Sequence, residues 1–201
     1  MKFPPFFLWL GIWMACLQAA QASEQDFLLH TPVAPALLDN LRIWDAQQHL
    51  WRAMRTGESP ARRPVLVVHL WADYCKPCKE EFPLFRALAE AVERENPGQV
   101  GFVYLSETSD AAAMDRFLIQ NHPQMPRGPL YLDTGEAIAQ LVSRHRPNGQ
   151  KTLPITIVLD EQRVIRQAVI GPIGLARGTL STGITKLVRL PRQMTQPTRS
   201  E

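Results

Sequence analysis

Cys75 and Cys78 stand three residues apart, with Lys76 and Pro77 between them, directly after the apolar run Val65–Leu70. Two thiols at that spacing can supply half of a metal site, close a structural bridge, or carry electrons. A zinc site takes about four ligands, and its strong signature adds a second CxxC or a spaced histidine pair. Neither accompanies this motif, because His30, His49, His69, His122 and His145 lie far apart in the sequence. A purely structural bridge over so short a loop would constrain little of the unfolded chain. Redox chemistry is left as the leading reading, and a strand-to-helix junction is where a CxxC of that kind belongs.

The mechanism follows from position. A helix beginning at the cysteines presents unpaired N–H groups and the positive end of its dipole to Cys75, which favours the thiolate. Lys76 and Lys79 add positive charge nearby. Cys75 is therefore expected to be the nucleophile that attacks a disulfide, and Cys78, one turn further in, the residue that resolves the mixed disulfide. Pro77 falls where a missing N–H costs the first helical turn little. Each turnover moves a proton to or from Cys78, so a titratable neighbour would help.

The elements that position this pair can be read along the chain. Residues 23 to 40 read as an extended lead-in, Leu41–Trp44 as a short strand, and Asp45–Arg55 as a helix with Leu50, Trp51 and Met54 on one side. Gly57 to Pro60 and Pro64 break the chain before Val65–Leu70, a run apolar apart from His69, as befits a strand covered on both faces. The helix that starts at the cysteines places Phe82, Phe85, Leu88, Ala89 and Val92 at helical spacing and stops at Asn96-Pro97-Gly98. Val100–Leu105 is the next strand. A helix capped by Ser109-Asp110, a strand at Pro129–Leu132 and a helix around Ile138–Val142 follow. Ile155–Leu159 and Val164–Ile170 stand at hairpin distance, and a last helix spans about Leu175–Leu190. The pattern predicts an α/β fold with a mostly parallel central sheet, an antiparallel edge hairpin and helices on both faces.

Composition bounds the rest. The 201 residues are 45% hydrophobic and 8% aromatic, enough to bury one ordinary domain core. A net charge of +3 without a basic block gives nucleic-acid binding no support. Met1-Lys2, the apolar run Phe6–Leu17 and Ala20-Gln21-Ala22 read as a secretory signal, residues 1–22, cleaved after Ala22. An uncleaved anchor and lipidation at Cys16 are the competing readings. Cleavage would remove Cys16 and leave Cys75 and Cys78 in an oxidising compartment. The tail 191–201 reads as disordered.

The chain resembles the thioredoxin superfamily, and within it the exported TlpA/ResA-type thiol-disulfide oxidoreductases. Trp71, Cys75-Lys-Pro-Cys78, Lys79, Glu81-Phe82-Pro83 and Leu153-Pro154-Ile-Thr156 leading to a strand that ends at Asp160 carry the likeness, over roughly residues 40 to 190. It implies a thioredoxin-like domain at 41–190, with a helix and strand-helix insertion from about Asp110 to Val142. It further implies that Pro154 is a cis-proline facing the cysteines, with Leu153 offering its backbone to an extended substrate segment. The likeness also sets Glu81 on an acidic residue that can influence thiol acidity and proton transfer; a solvated first-turn glutamate stabilised by the helix dipole is the other open reading. His69 departs from the acid or Asn usual at its position; a proton-relay role and plain core packing are both open. Trp71 and Tyr74 flank the cysteines as a substrate-facing rim or as ordinary packing. The loop Arg144–Thr152, with four basic residues, is a solvated loop or a contact for an acidic partner.

The function implied is a periplasmic dithiol reductant of particular exported proteins, in cytochrome c maturation or metal-site assembly, recharged by a membrane thiol carrier. The cysteine pair itself carries the electrons, so no bound cofactor and no resident metal are expected. The membrane enters only through the signal or an anchor. Direction stays open, since CxPC centres span a wide range of potentials and a high-potential centre would introduce disulfides instead. A non-catalytic module that holds Cu(I) or docks a partner beside Pro154 is the reading from a different class.

Overall fold

The structure, a computed structural model, describes residues 28–108, 110–121, 129–133, 138, 140–141 and 152–189. Strands β1 (Arg42–Asp45), β2 (Leu50–Ala53), β3 (Val65–Trp71), β4 (Val100–Ser106), β5 (Leu130–Leu132), β6 (Ile155–Leu159) and β7 (Ile165–Ile170) form one sheet in the order β2-β1-β5-β4-β3-β6-β7. The labelled helices are α1 (Pro35–Asp39), α2 (Lys76–Glu95), α3 (Ala111–Asn121) and α4 (Arg177–Arg189). The signal region, the basic loop 144–151 and the tail 191–201 lie outside the described residues. So does part of the Asp110–Val142 segment, of which α3, β5 and helical residues at 138 and 140–141 are described.

The sheet is mixed rather than mostly parallel. β3–β4 and β4–β5 pair in parallel, whereas β1–β2, β1–β5, β3–β6 and β6–β7 are antiparallel. Alternating strand and helix dictates parallel pairing only where a crossover helix joins the strands, as α2 joins β3 to β4 and α3 lies between β4 and β5. β1 and β6 join their neighbours without that constraint.

A second difference lies at Asp45–Arg55, which is a hairpin and not a helix. Asp45 Oδ1 accepts the N–H groups of Gln47 and Gln48 at 3.0 Å each, and His49 takes a left-handed φ of 52°, which closes the turn. Trp44 and Trp51 then stand opposite each other in register, with ring centroids 5.2 Å apart edge to face. That cross-strand pair uses the spacing that also suits a helix face. Within the lead-in, Pro35–Asp39 is a one-turn helix, and Leu28, Val33 and Leu38 are buried.

β3 is buried at all seven positions, and its alternation divides the core. Val65, Val67 and Trp71 join the cluster built on α2 with Phe82, Phe85 and Leu88, while Leu66, Val68 and Leu70 join Leu28, Leu38 and Ile138 on the other face. By the same period His69 faces α2.

Arg163, in the β6–β7 turn at φ 62°, ties that turn to the segment before β3. Its guanidinium donates to the carbonyls of Pro64 (3.2 Å), Asp160 (3.0 Å) and Arg63 (2.9 Å), and to that of Ala61. Arg163→Met keeps most of the stem but leaves these carbonyls without their donor. We expect a loss of about 2 kcal/mol in urea unfolding, with the slope unchanged.

Candidate active site

The site is assembled where β3 ends. Trp71 is its last residue, Ala72–Tyr74 form the connecting loop, and Cys75 is the N-cap of α2, its Sγ accepting the N–H of Cys78 at 3.2 Å. Pro77 occupies the first turn. The two cysteines are joined as a disulfide, with Cα atoms 5.3 Å apart. Their burial differs: Cys75 keeps 7% exposure and Cys78 none. An incoming sulfur can therefore reach only Cys75 without rearrangement, and the unpaired N–H groups of the first helical turn point at the charge that would develop there.

The chain after β4 braces this loop. Glu107 N–H donates to the Trp71 carbonyl at 3.0 Å, Asp73 N–H donates to Thr108 Oγ1 at 3.3 Å, and the Thr108 hydroxyl returns a bond to Asp73 Oδ1. Thr108 is itself held by its N–H on Ser106 Oγ at 2.9 Å.

The sequence-expected rim divides. Trp71 is fully buried, with its ring 5.3 Å from Phe82 and 5.0 Å from Phe117, so it packs and does not face a substrate. Tyr74 is 70% exposed, and its hydroxyl lies 3.4 Å from Glu107 Oε2. Pro77 and Lys76 are exposed, Lys79 is half-buried, and Lys76 lies 3.7 Å from Glu80. The Leu153–Pro154 peptide is cis. The β3–β6 register pairs Leu70 with Ile155, which sets Pro154 beside Trp71, where the loop to Cys75 begins. Pro154 is buried, its carbonyl accepts from Gly171 N–H at 2.8 Å, and Leu153 is half-buried.

Behind the disulfide lies a buried polar group. Glu81, three residues beyond Cys78 on the same face of α2, is 3% exposed and accepts the Ile173 N–H on Oε2 at 2.7 Å. Burial pushes its carboxyl up to about 7, against the lowering effect of that hydrogen bond. His69, wholly buried, places Nε2 3.4 Å from Glu81 Oε1 and Nδ1 3.0 Å from Thr156 Oγ1. Burial pulls the imidazole down to about 3, so it is neutral near physiological pH and its contact with Glu81 is not an ion pair. The structure thus brings together Cys75, Cys78, Glu81 and His69 with the Pro154 loop.

Sequence reasoning missed Thr156, Ile173 and Thr108 as partners in this site. Thr156 had a readable signal, as the polar residue in the apolar run Ile155–Leu159, and it pairs in register with His69. The contribution of Ile173 is a backbone N–H, which no side-chain pattern announces.

No protein-family profile and no curated protein matches the sequence. Solved structures do. The thioredoxin-related protein from Neisseria meningitidis serogroup B aligns at 24% identity over 74% of this chain and 97% of its own, with a TM-score of 0.53. A putative thiol:disulfide interchange protein DsbE from Chlorobium tepidum aligns at 18% identity over 65% and 84%, with a TM-score of 0.51. MTB DsbF, solved in mixed oxidised and reduced forms, aligns at 19% identity over 77% and 99%, with a TM-score of 0.50. With β5-β4-β3 parallel, β6 and β7 antiparallel beyond them, and the cysteine pair opening the helix after β3, the chain has the thioredoxin fold.

Proposed function

We propose that the protein is an exported thiol-disulfide oxidoreductase that works as a dithiol reductant of particular exported proteins. The observation that carries this reading is the asymmetry of the cysteine pair, with a marginally exposed Cys75 at a helix N-terminus and a sealed Cys78 one turn behind it. Cys75 attacks, Cys78 resolves, and Glu81 exchanges the proton that Cys78 gains or loses. Tyr74, Pro77, Leu153 and the Pro154 loop form the surface that meets the substrate; Trp71 supports it from below. The names of the solved neighbours, thiol:disulfide interchange proteins among them, agree with this chemistry. The signal-like residues 1–22 and the TlpA/ResA likeness support a periplasmic location, with thiols of cytochrome c or a metal-site assembly protein as the proposed substrates and a membrane thiol carrier as the proposed donor. Among the described residues no helix is long and apolar enough to cross a membrane.

The test is the equilibrium potential of the Cys75–Cys78 pair, titrated against dithiothreitol and glutathione buffers. A value near or below about −270 mV supports the reductant, and one approaching about −120 mV replaces it with an oxidant that introduces disulfides. Failure of the pair to exchange at all would leave a thioredoxin-fold binding module.

A further inference from the structure

His69 and Thr156 are polar residues on adjacent, otherwise largely apolar strands, and the register of β3 and β6 sets them opposite each other. Both are fully buried. The Thr156 hydroxyl lies 3.0 Å from Nδ1 on one side of the imidazole, and Glu81 Oε1 lies 3.4 Å from Nε2 on the other. Among the described residues neither Nε2 nor Oε1 has a hydrogen-bond partner. Two buried polar atoms thus stand 3.4 Å apart without a formed hydrogen bond between them. The ring of Phe85, 4.4 Å away centroid to centroid, and that of Phe82 at 6.3 Å hold the imidazole in place.

With Glu81 ionised, counting hydrogens selects one tautomer. With the proton on Nδ1, the ring would donate to Thr156, the hydroxyl hydrogen would need another acceptor in a sealed interior, and the Nε2 lone pair would confront a carboxylate oxygen. With the proton on Nε2, the hydroxyl donates to Nδ1 and the ring donates toward Oε1. Each donor then has an acceptor while Glu81 is ionised.

We infer that Thr156 and His69 are positioning residues, the hydroxyl holding the imidazole as its Nε2–H tautomer so that the ring presents a neutral N–H donor to Glu81 and stabilises its ionised form. This rests on the proposed dithiol chemistry, because Glu81 acts on the reaction through Cys78, one turn earlier on the same buried face. The groups that face Glu81 are His69 from β3, the Ile173 amide from the β7–α4 turn and Cys78 from its own helix, with Thr156 of β6 behind the ring. No Lys or Arg forms an ion pair with it among the described residues, so N–H donors are what favour its ionised form against the upward push of burial. Two donated hydrogen bonds let a buried carboxylate release and recover a proton near neutrality, where an apolar pocket alone would keep it protonated.

The test compares the full chain with Thr156→Val, which keeps the shape and loses the hydroxyl, and Thr156→Ser, which keeps the hydroxyl. The Glu81 carboxyl is titrated by carbon-13 NMR, the His69 tautomer is read from its nitrogen-15 shifts, and thiol-disulfide exchange with dithiobis(nitrobenzoate) is followed against pH. We expect a neutral Nε2–H imidazole once Glu81 is ionised. In Thr156→Val the Glu81 midpoint should rise by about one pH unit, the exchange profile moving with it, and Thr156→Ser should restore both. An Nδ1–H tautomer in the unsubstituted protein once Glu81 is ionised, an unmoved midpoint in the valine variant, or a serine variant that behaves like valine would each overturn the assignment. Should the valine variant not fold, the tautomer and the serine variant still decide. Absence of exchange in the unsubstituted protein would instead overturn the dithiol chemistry, with the two NMR readouts continuing to judge the hydrogen bonds.

Discussion

Cys75→Ser is expected to lower thiol-disulfide exchange with a model disulfide peptide by about a thousandfold or more, and Cys78→Ser to halt the same reaction at a covalent adduct. The reason is the unequal exposure of the two sulfurs. In the proposed forward step the Cys75 thiolate attacks one sulfur of the substrate disulfide; a new S–S bond joins enzyme and substrate, and the other substrate sulfur leaves as a thiolate. Cys78, as thiolate, then attacks Cys75 Sγ, displaces the second substrate sulfur and closes the internal disulfide. The substrate has gained two electrons and the enzyme has lost them. With serine at position 78 the second step has no nucleophile, so the adduct through Cys75 accumulates and is read by mass spectrometry without reductant. With serine at position 75 the remaining thiol is sealed beneath the first helical turn. Equal adduct formation through either cysteine would show that the buried sulfur is reached as readily as the exposed one, and the assignment of roles would fail.

Much of this site was legible because its chemistry is local in sequence. The CxxC spacing, the helix that follows it and the buried strand before it all sit within about thirty residues, and their periods are clear. What escaped depends on distant pairing. The hairpin at Arg42–Ala53 was hidden because Leu50, Trp51 and Met54 also fall at helix-like spacing, and only the turn at Asp45–His49 decides between the two. The proportion of antiparallel pairing was hidden because β1 and β6 reach their neighbours without a crossover helix. For the rim, composition could not separate Trp71 from Tyr74; the strand period does, since Trp71 ends β3 on its α2 side while Tyr74 belongs to the exposed loop. His69 and Glu81 are 12 positions apart in the sequence, and their contact follows from β3 and α2 packing face to face.

That contact makes opposite demands on stability as pH changes. Glu81 titrates at about 7 in the folded chain and near 4.5 when unfolded, so between those values the folded state holds a proton that the unfolded state has released. Its contribution is present below pH 4.5 and lost as pH rises to 7. His69 titrates at about 3 when folded and near 6.5 when unfolded, so the unfolded state holds the extra proton and stability is lost as pH falls from 6.5 toward 3. From pH 4.5 to 6.5 the two slopes oppose each other, and together these groups give a nearly flat profile there. Single substitutions should tilt it. Relative to the unsubstituted protein, Glu81→Gln should gain about 3 kcal/mol of stability between pH 4.5 and 6.5, and His69→Asn should lose about as much over the same interval. Urea unfolding at fixed ionic strength, with both variants and the parent measured at each pH, isolates these differences from every other titrating group. Parallel profiles for all three proteins would mean that Glu81 and His69 titrate near their unfolded values, and the buried, uncharged pair described behind the disulfide would have to be abandoned.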